Sequence, residues 1–555
     1  MKLERLIEVA VVLGTAAIAV AAFVFVDRYA GPAPVQDDFD FLGLQLVPRT
    51  PRLEHLLAPL NEHRLPLPRL TVWATARTFG FGLRTQMFVD LTMAVAAVVT
   101  VLASVRAIRG RWSLADLSIP AAYLSIGQHE SLLWSVQVNF WLPVALVTVV
   151  LALLGRLPGL LTNGHCLGVS VCVLLLPLCG GQGVVAAAPV AVWLLAVGVA
   201  YRRTAGVLGG LAALALIASL IAYRTPVPHH PPPRYDKPAL RYAVRVVGAA
   251  WGPVVDKINR ADSRGKPTSA LGVVTLVFVA FAGCRLVVAA RRDPAARPAA
   301  TGLLAVGAGL LAVATATGAG RAEINLGLIP NRYATLMMPL LVGMFLTFAR
   351  FGPSRAMWVV AAGVALTFWP NLSEGLAFGE LTRTRQAAIV ADCERGTPPS
   401  FLAAHHSSYV YPSAPVDSVA IAFEALRAGG GPPFDRVPRE PRLMEELVPL
   451  IVVSPDTDAE KFVVLRMDHE SVWTITLPAG DFVGIKLRYL LRGGVVTNSQ
   501  AIWDGWDGPR LVHGVFNEKH EIRLWTGGRV RTISFSANGT SAIQLISLSV
   551  YRRAD

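Results

Sequence analysis

The chain has 555 residues, 53% of them hydrophobic and only 16% charged, with a net charge of +14 and a mean hydropathy of +0.50. Soluble domains carry roughly 25% charged residues, so this composition excludes an ordinary soluble protein for most of the length. The positive balance does not indicate nucleic acid, because the arginines cluster in short loops between apolar runs and no basic stripe is interleaved with aromatics.

The first apolar run, 6–26, follows Lys2 and Arg5. It is long for a cleaved leader and opens a strongly hydrophobic body, so it is read as a membrane helix. The loop 27–85 comes next, with Gln36-Asp37-Asp38-Phe39-Asp40, Asn61-Glu62-His63-Arg64, and at 69–81 the pattern of an interfacial amphipathic helix. Further apolar runs at 86–105, 114–127, 137–155, 160–178, 183–200, 205–222, 269–289, 300–319, 333–349 and 356–371 make eleven in all. Five cysteines (Cys166, Cys172, Cys179, Cys284, Cys393) form no CxxC or metal spacing.

With the N-terminus in the cytoplasm, the cytoplasmic loops hold Arg106, Arg109 and Arg111; Arg156; Arg202 and Arg203; Arg285, Arg291, Arg292 and Arg297; and Arg350 and Arg355. Every one satisfies the positive-inside rule, and eleven crossings place the C-terminal region outside. The same topology sends five polar clusters outside: the opening loop, Gln128-His129-Glu130, Gly180-Gly181-Gln182-Gly183, the loop 223–268 with His229-His230, and the stretch from Arg321 to Arg332. Ionisable groups at a membrane edge are costly and mark function.

Residues 372–454 are mixed, with Pro and Gly breaks, and read as a partly helical linker. From 461 the pattern turns to period two, in 461–467, 471–477, 482–491, 521–527, 529–537 and 542–551. The expected organisation is therefore a transmembrane domain over 1–371, the linker over 372–454, and a β-sandwich or jelly roll over 455–555.

Three clusters carry candidate chemistry. Asp37, Asp38 and Asp40 stand about ten residues past the first helix, where a carboxylate serves as general base on a hydroxyl, or a pair holds a divalent cation. In Asn61-Glu62-His63-Arg64, Arg64 suits bidentate phosphate contact, His63 donates, and Glu62 orients either. His129 and Glu130 suit a polar head group, while Arg321 and Arg332 lie on the side where positive charge is disfavoured, as an anionic lipid phosphate requires. The plainer readings are a solvated acidic loop, a helix cap, a hydrophilic turn, and a salt bridge from Glu323 to Arg321 or Arg332. A zinc set from His129, Glu130, His229 and His230 has no standard spacing. Walker A, dinucleotide GxGxxG and GxSxG patterns are absent, so a nucleotide-driven pump finds no support.

Four stretches taken together, QDDFD, NEHR, QHESLLWSVQ and GRAEINLGLIPNRYAT, give the chain a resemblance over residues 1–350 to the polytopic GT-C glycosyltransferases, in an uncharacterised bacterial branch. In those relatives the third pattern reads Gln-Trp-Glu-Asn; here it is Gln128-His129-Glu130-Ser131. The resemblance implies a GT-C-like membrane fold in the bacterial plasma membrane. It implies a polyprenyl-phosphate-linked sugar as donor, a glycan, lipid or protein as acceptor, and one inverting displacement. Asp37 or Asp38 becomes the base with Asp40 in support, and Arg64, Arg321 and Arg332 hold the phosphate. The β-region resembles carbohydrate-binding-like domains appended to some arabinosyltransferases, with Trp503 and Trp506 as acceptor contacts or, on the plainer reading, core. Two rivals remain at this stage: a non-catalytic binder or transporter of lipid-linked glycans, which needs no base, and an acyltransferase, which wants a membrane-embedded histidine where this chain has only loop histidines.

Overall fold

The computed structural model describes residues 2–46, 53–60, 63–80, 82–157, 159, 161–222, 233–252, 266–323, 329–412 and 414–439, together with the strands of 443–553 named below. The chain divides into two compact units, one of Met1–Gly31 with Gly43–Arg383, the other of Pro32–Leu42 with Thr384–Asp555.

The first unit is helical. Its long helices are α1 (Lys2–Tyr29), α2 (Leu83–Arg109), α3 (Val138–Gly155), α4 (Gly181–Ala200), α5 (Thr204–Ala222), α6 (Lys266–Arg292), α7 (Arg297–Arg321) and α8 (Arg332–Phe351), followed by α9 (Ser354–Glu394), which runs on into the second unit. Among the described residues these nine are long and apolar enough to cross a bilayer. Large apolar side chains stand out from them, such as Val277, Leu366 and Trp369. In water such surfaces would drive association; in lipid they are the contact surface. The protein is an α-helical membrane protein.

Among the described residues nine helices reach spanning length where eleven apolar runs were expected, and the two runs that fall short do so for physical reasons. The run 114–127 is not one helix but a 3-10 turn, Leu114–Leu117, and a short helix, Ser118–Tyr123. Buried Asp116 turns back to Arg109, Pro120 lies inside the stretch, and a Cβ on Gly127 would stand 2.9 Å from the Asn371 carbonyl oxygen, so the chain bends where hydropathy alone extends a rod. The run 160–178 yields Asn163–Leu175 and a 3-10 turn to Cys179, below spanning length. The broken segment still joins both ends of the bundle: Asp116 meets Arg109 at the last turn of α2, while Gln128 and His129 meet residues at the first turn of α8.

Helix directions follow from the pairings. Asp27 at the end of α1 meets Arg84 at the start of α2, and Glu4 and Glu8 meet Arg111 and Arg106 at the opposite end. Arg350 closes α8 against the carbonyls of Leu154, Gly155 and Leu157 at the end of α3. One end of the bundle is therefore rich in arginine. The other gathers the starts of α2, α3, α4 and α8 with the ends of α1 and α7.

In the second unit, α10 (Pro399–Val410) and α11 (Val416–Ala428) pack together, and Phe401 of α10 meets the Trp525 and Tyr551 rings edge to face. The strands are all antiparallel. One set runs 472–476, 530–538, 498–505, 508–513; the other runs 443–447, 542–553, 484–492, 521–525, with 464–465 also on 542–553. Strands 443–447, 498–505 and 508–513 lie outside the period-two runs read from the sequence, because Glu445, Glu446, Asp504 and Pro509 interrupt their alternation.

Candidate functional site

The opposite end of the bundle, where α2, α3, α4 and α8 start, holds a hydrogen-bonded polar cluster drawn from two stretches about 200 residues apart. Glu130 Oε2 accepts from the Arg332 backbone N–H at 3.1 Å and from Arg332 Nη1 at 3.3 Å. The carboxylate thus caps the first turn of α8, where orphan N–H groups and the helix dipole favour an anion. Arg332 lies over the Trp134 and Tyr333 rings at 5.8 and 5.9 Å, the geometry of cation–π attraction. Asn331 donates through Nδ2 to the Gly127 carbonyl at 2.8 Å, and the same nitrogen stands 3.3 Å from His129 Nε2. The His129 ring stacks on Phe378 at 3.8 Å.

Below that layer Thr335 donates to Gln128 Oε1 at 2.6 Å, and its hydroxyl also meets that of Ser131 at 2.7 Å. Gln128 donates to the Ala122 carbonyl at 2.6 Å, and Trp141 donates to the Ser131 carbonyl at 2.8 Å. Gln128 therefore acts as a clamp holding the bent segment to α8. Among the described residues, Gln137 Oε1, Asn139 Oδ1 and Asn331 Oδ1 at this end are buried amide acceptors with no hydrogen-bond partner. Such atoms cost about 1–3 kcal/mol each when unsatisfied, and they suit a ligand bearing hydroxyl donors.

A second group adjoins the start of α4. His63 packs against Gly181, where a Cβ would stand 2.7 Å from His63 Cε1, and Leu65 packs against Gly180. Gln182 donates to the Asn139 carbonyl at 2.9 Å, and Arg64 donates to the Leu57 carbonyl. Gly180 has φ +104 and would place a Cβ 2.5 Å from Leu65, so Gly180→Ala is expected to cost about 1–3 kcal/mol. Thermal unfolding of the full chain in detergent, and rescue by Leu65→Ala only in part, would check this; an unchanged midpoint would refute the packing. A third pair joins two clusters through Arg234 and Glu323. Glu323 therefore pairs with Arg234, and Arg321 sits half-buried in the last turn of α7.

The acidic stretch belongs to the second unit. Asp38 is buried, and its Oδ2 accepts from the Val35 N–H at 3.0 Å while its own N–H donates to the Val35 carbonyl at 3.1 Å. That is a capping role. Asp37 is half-buried and Asp40 exposed. Gln36 opens the turn at φ +50, a left-handed conformation uncommon outside glycine. Gln386 clamps the preceding backbone, accepting from the Ala33 N–H at 2.9 Å and donating to its carbonyl at 3.0 Å. Phe39 stacks on Tyr411 at 5.6 Å. Burial, and then the charges of Asp40 and Asp37, push the Tyr411 phenol up to about 12.

Glu62, Trp506, His229 and His230 lie outside the described residues, so the zinc set that used both of those histidines does too. Trp503 lies in strand 498–505, paired with Ile533 and Arg510. The sequence reading missed Ser131, Gln137, Asn139 and Thr335; the available signal was polar residues inside apolar runs. The chain matches no family model and no curated protein.

Proposed function

We propose that the protein is an inverting glycosyltransferase of the GT-C type in the bacterial plasma membrane. It moves a sugar from a polyprenyl phosphate to an extracytoplasmic glycan, lipid or protein. The observation that supports this best is the convergence of Gln128-His129-Glu130 with Asn331-Arg332 at one end of the bundle, beside buried amide acceptors. A guanidinium braced by a carboxylate and aromatic faces suits a lipid phosphate, and amide oxygens suit sugar hydroxyls. In the reaction the acceptor hydroxyl oxygen attacks the anomeric carbon and gives its proton to a carboxylate. The bond to the phosphate oxygen breaks, and the lipid phosphate leaves with the electron pair. Asp37 is the base in this reading, because Asp38 is engaged as a cap; Arg332, with Arg64 and Arg321, serves the phosphate. The strand-rich end of the chain is a β-sandwich outside the membrane.

The test is transfer of labelled sugar from a panel of polyprenyl-phosphate donors by the full chain in vesicles, together with the lipid-linked sugar content of cells lacking it. Loss of transfer in Arg332→Met and accumulation of one donor in the deletion strain are expected. No transfer from any donor and an unchanged lipid profile would discard the reading. Orientation is checked separately: reporter fusions after Arg292 are expected to be active only as cytoplasmic reporters and fusions after Glu323 only as extracytoplasmic ones, with the reverse overturning the assignment.

A further inference from the structure

Outside the cluster described above, the second unit contains a compact set of metal-ligating atoms. Asp392 lies in the last turn of α9 and His405 and His406 in α10. The chain reverses between them through Gly396, at φ +71, with the Thr397 N–H donating to the Asp392 carbonyl at 3.0 Å. Asp392 Oδ2 is 2.7 Å from His405 Nδ1 and 2.7 Å from His406 Nε2, and the three ligand atoms all lie within 4.8 Å of one another. Consecutive residues on a helix diverge by about 100°. These two rings nevertheless converge on one oxygen, with centroids 4.1 Å apart, and do so by using different nitrogens. Asp392 and His406 are buried and His405 half-buried.

We propose that Asp392, His405 and His406 form a site for a divalent transition metal, with Zn²⁺ as the fitting ion. Two imidazoles and one carboxylate are the donor set that zinc takes with a fourth position left open. Ligand atoms about 2.1 Å from zinc stand about 3.3–3.4 Å apart in a tetrahedron, so the present 2.7 Å contacts need open by only about 0.6 Å. Each imidazole then carries its proton on the other ring nitrogen. Arg395 pairs with Asp392 Oδ1; such a partner orients a ligating carboxylate from its other oxygen. The Arg395 side chain is 44% exposed, so its charge is screened by water and does not bar a cation. The metal would lock α10 against the end of α9. The two-histidine set is distinct from the acidic stretch at Asp37 and does not depend on the glycosyltransferase reading.

The full chain, purified in detergent through a tag without histidine, is stripped with chelator and titrated with Zn²⁺. Elemental analysis is expected to show one zinc per chain and the thermal midpoint is expected to rise. His405→Gln, His406→Gln and Asp392→Asn are each expected to lose the zinc and the rise. Should these variants fold poorly, Co²⁺ added to the wild-type chain decides the matter by visible d–d absorption that Zn²⁺ displaces. Absence of bound zinc and of the cobalt spectrum in folded wild-type protein, or retention of both in a folded variant lacking two of the three ligands, would overturn the site and leave a buried hydrogen-bond network.

Discussion

Asp37→Asn is expected to lower sugar transfer by about 10²–10⁴-fold, the usual contribution of a positioned general base, without moving the thermal midpoint. Asparagine preserves shape but removes the charge and the basic oxygen. Asp38→Asn is expected to behave in the opposite way. Its buried carboxylate accepts from the Val35 N–H; losing such a cap to alanine costs about 0.5–2 kcal/mol, and asparagine, which keeps an acceptor but loses the charge, falls at the low end of that range. Its stability should fall while activity per folded molecule is largely kept. Measuring transfer and unfolding on the two variants side by side separates base from cap. Full activity in Asp37→Asn removes the base assignment, and a large activity loss in Asp38→Asn at unchanged stability reverses it.

The second large effect is expected at Glu130. Its carboxylate accepts both from the backbone and from the guanidinium of Arg332. The pair is mostly buried, with side-chain exposures of 24% for Arg332 and 17% for Glu130. Removing one partner leaves the other charge desolvated, so Glu130→Ala is expected to cost about 2–4 kcal/mol, somewhat below the range for fully buried pairs. Glu130→Gln keeps one acceptor and should cost less. A double-mutant cycle with Arg332→Met measures the coupling directly. A coupling near zero would mean that the two stretches do not hold each other. If Arg332 serves the phosphate, transfer by Glu130→Gln should also fall through a raised KM more than a lowered kcat.

Most of the membrane region was legible in the sequence, because burial in lipid requires long unbroken apolar runs and little else satisfies a backbone there. The failures were informative. Hydropathy drew 114–127 as one continuous helix, yet Asp116 and Gly127 sit in it and each is held by a particular partner: Arg109, one loop back, for the carboxylate, and Asn371, far along the chain, for the close approach at Gly127. A window average does not see such partners. The same blindness hid Thr335, which reads as one more small residue in an apolar helix but bonds Gln128 across 207 positions.

The candidate chemistry divides in the same way. The motifs QHE and NRY stood out because charge beside an apolar run is costly. That cost shows in one dimension, so the sequence by itself determined that the chain inserts in a membrane and which polar stretches need explaining. Only the tertiary structure decided which of them share a site: Glu130 with Arg332, His63 with Gly181, Arg234 with Glu323. It also set Asp38 apart from Asp37 by burying one as a cap, and brought Asp392 to His405 and His406 around the turn at Gly396. Hydrogen bonds and ion pairs are directional contacts between particular atoms over a few ångströms, whereas the hydrophobic effect responds to how much apolar surface is removed from water. Amount is visible in composition and order; direction exists only once the chain has folded.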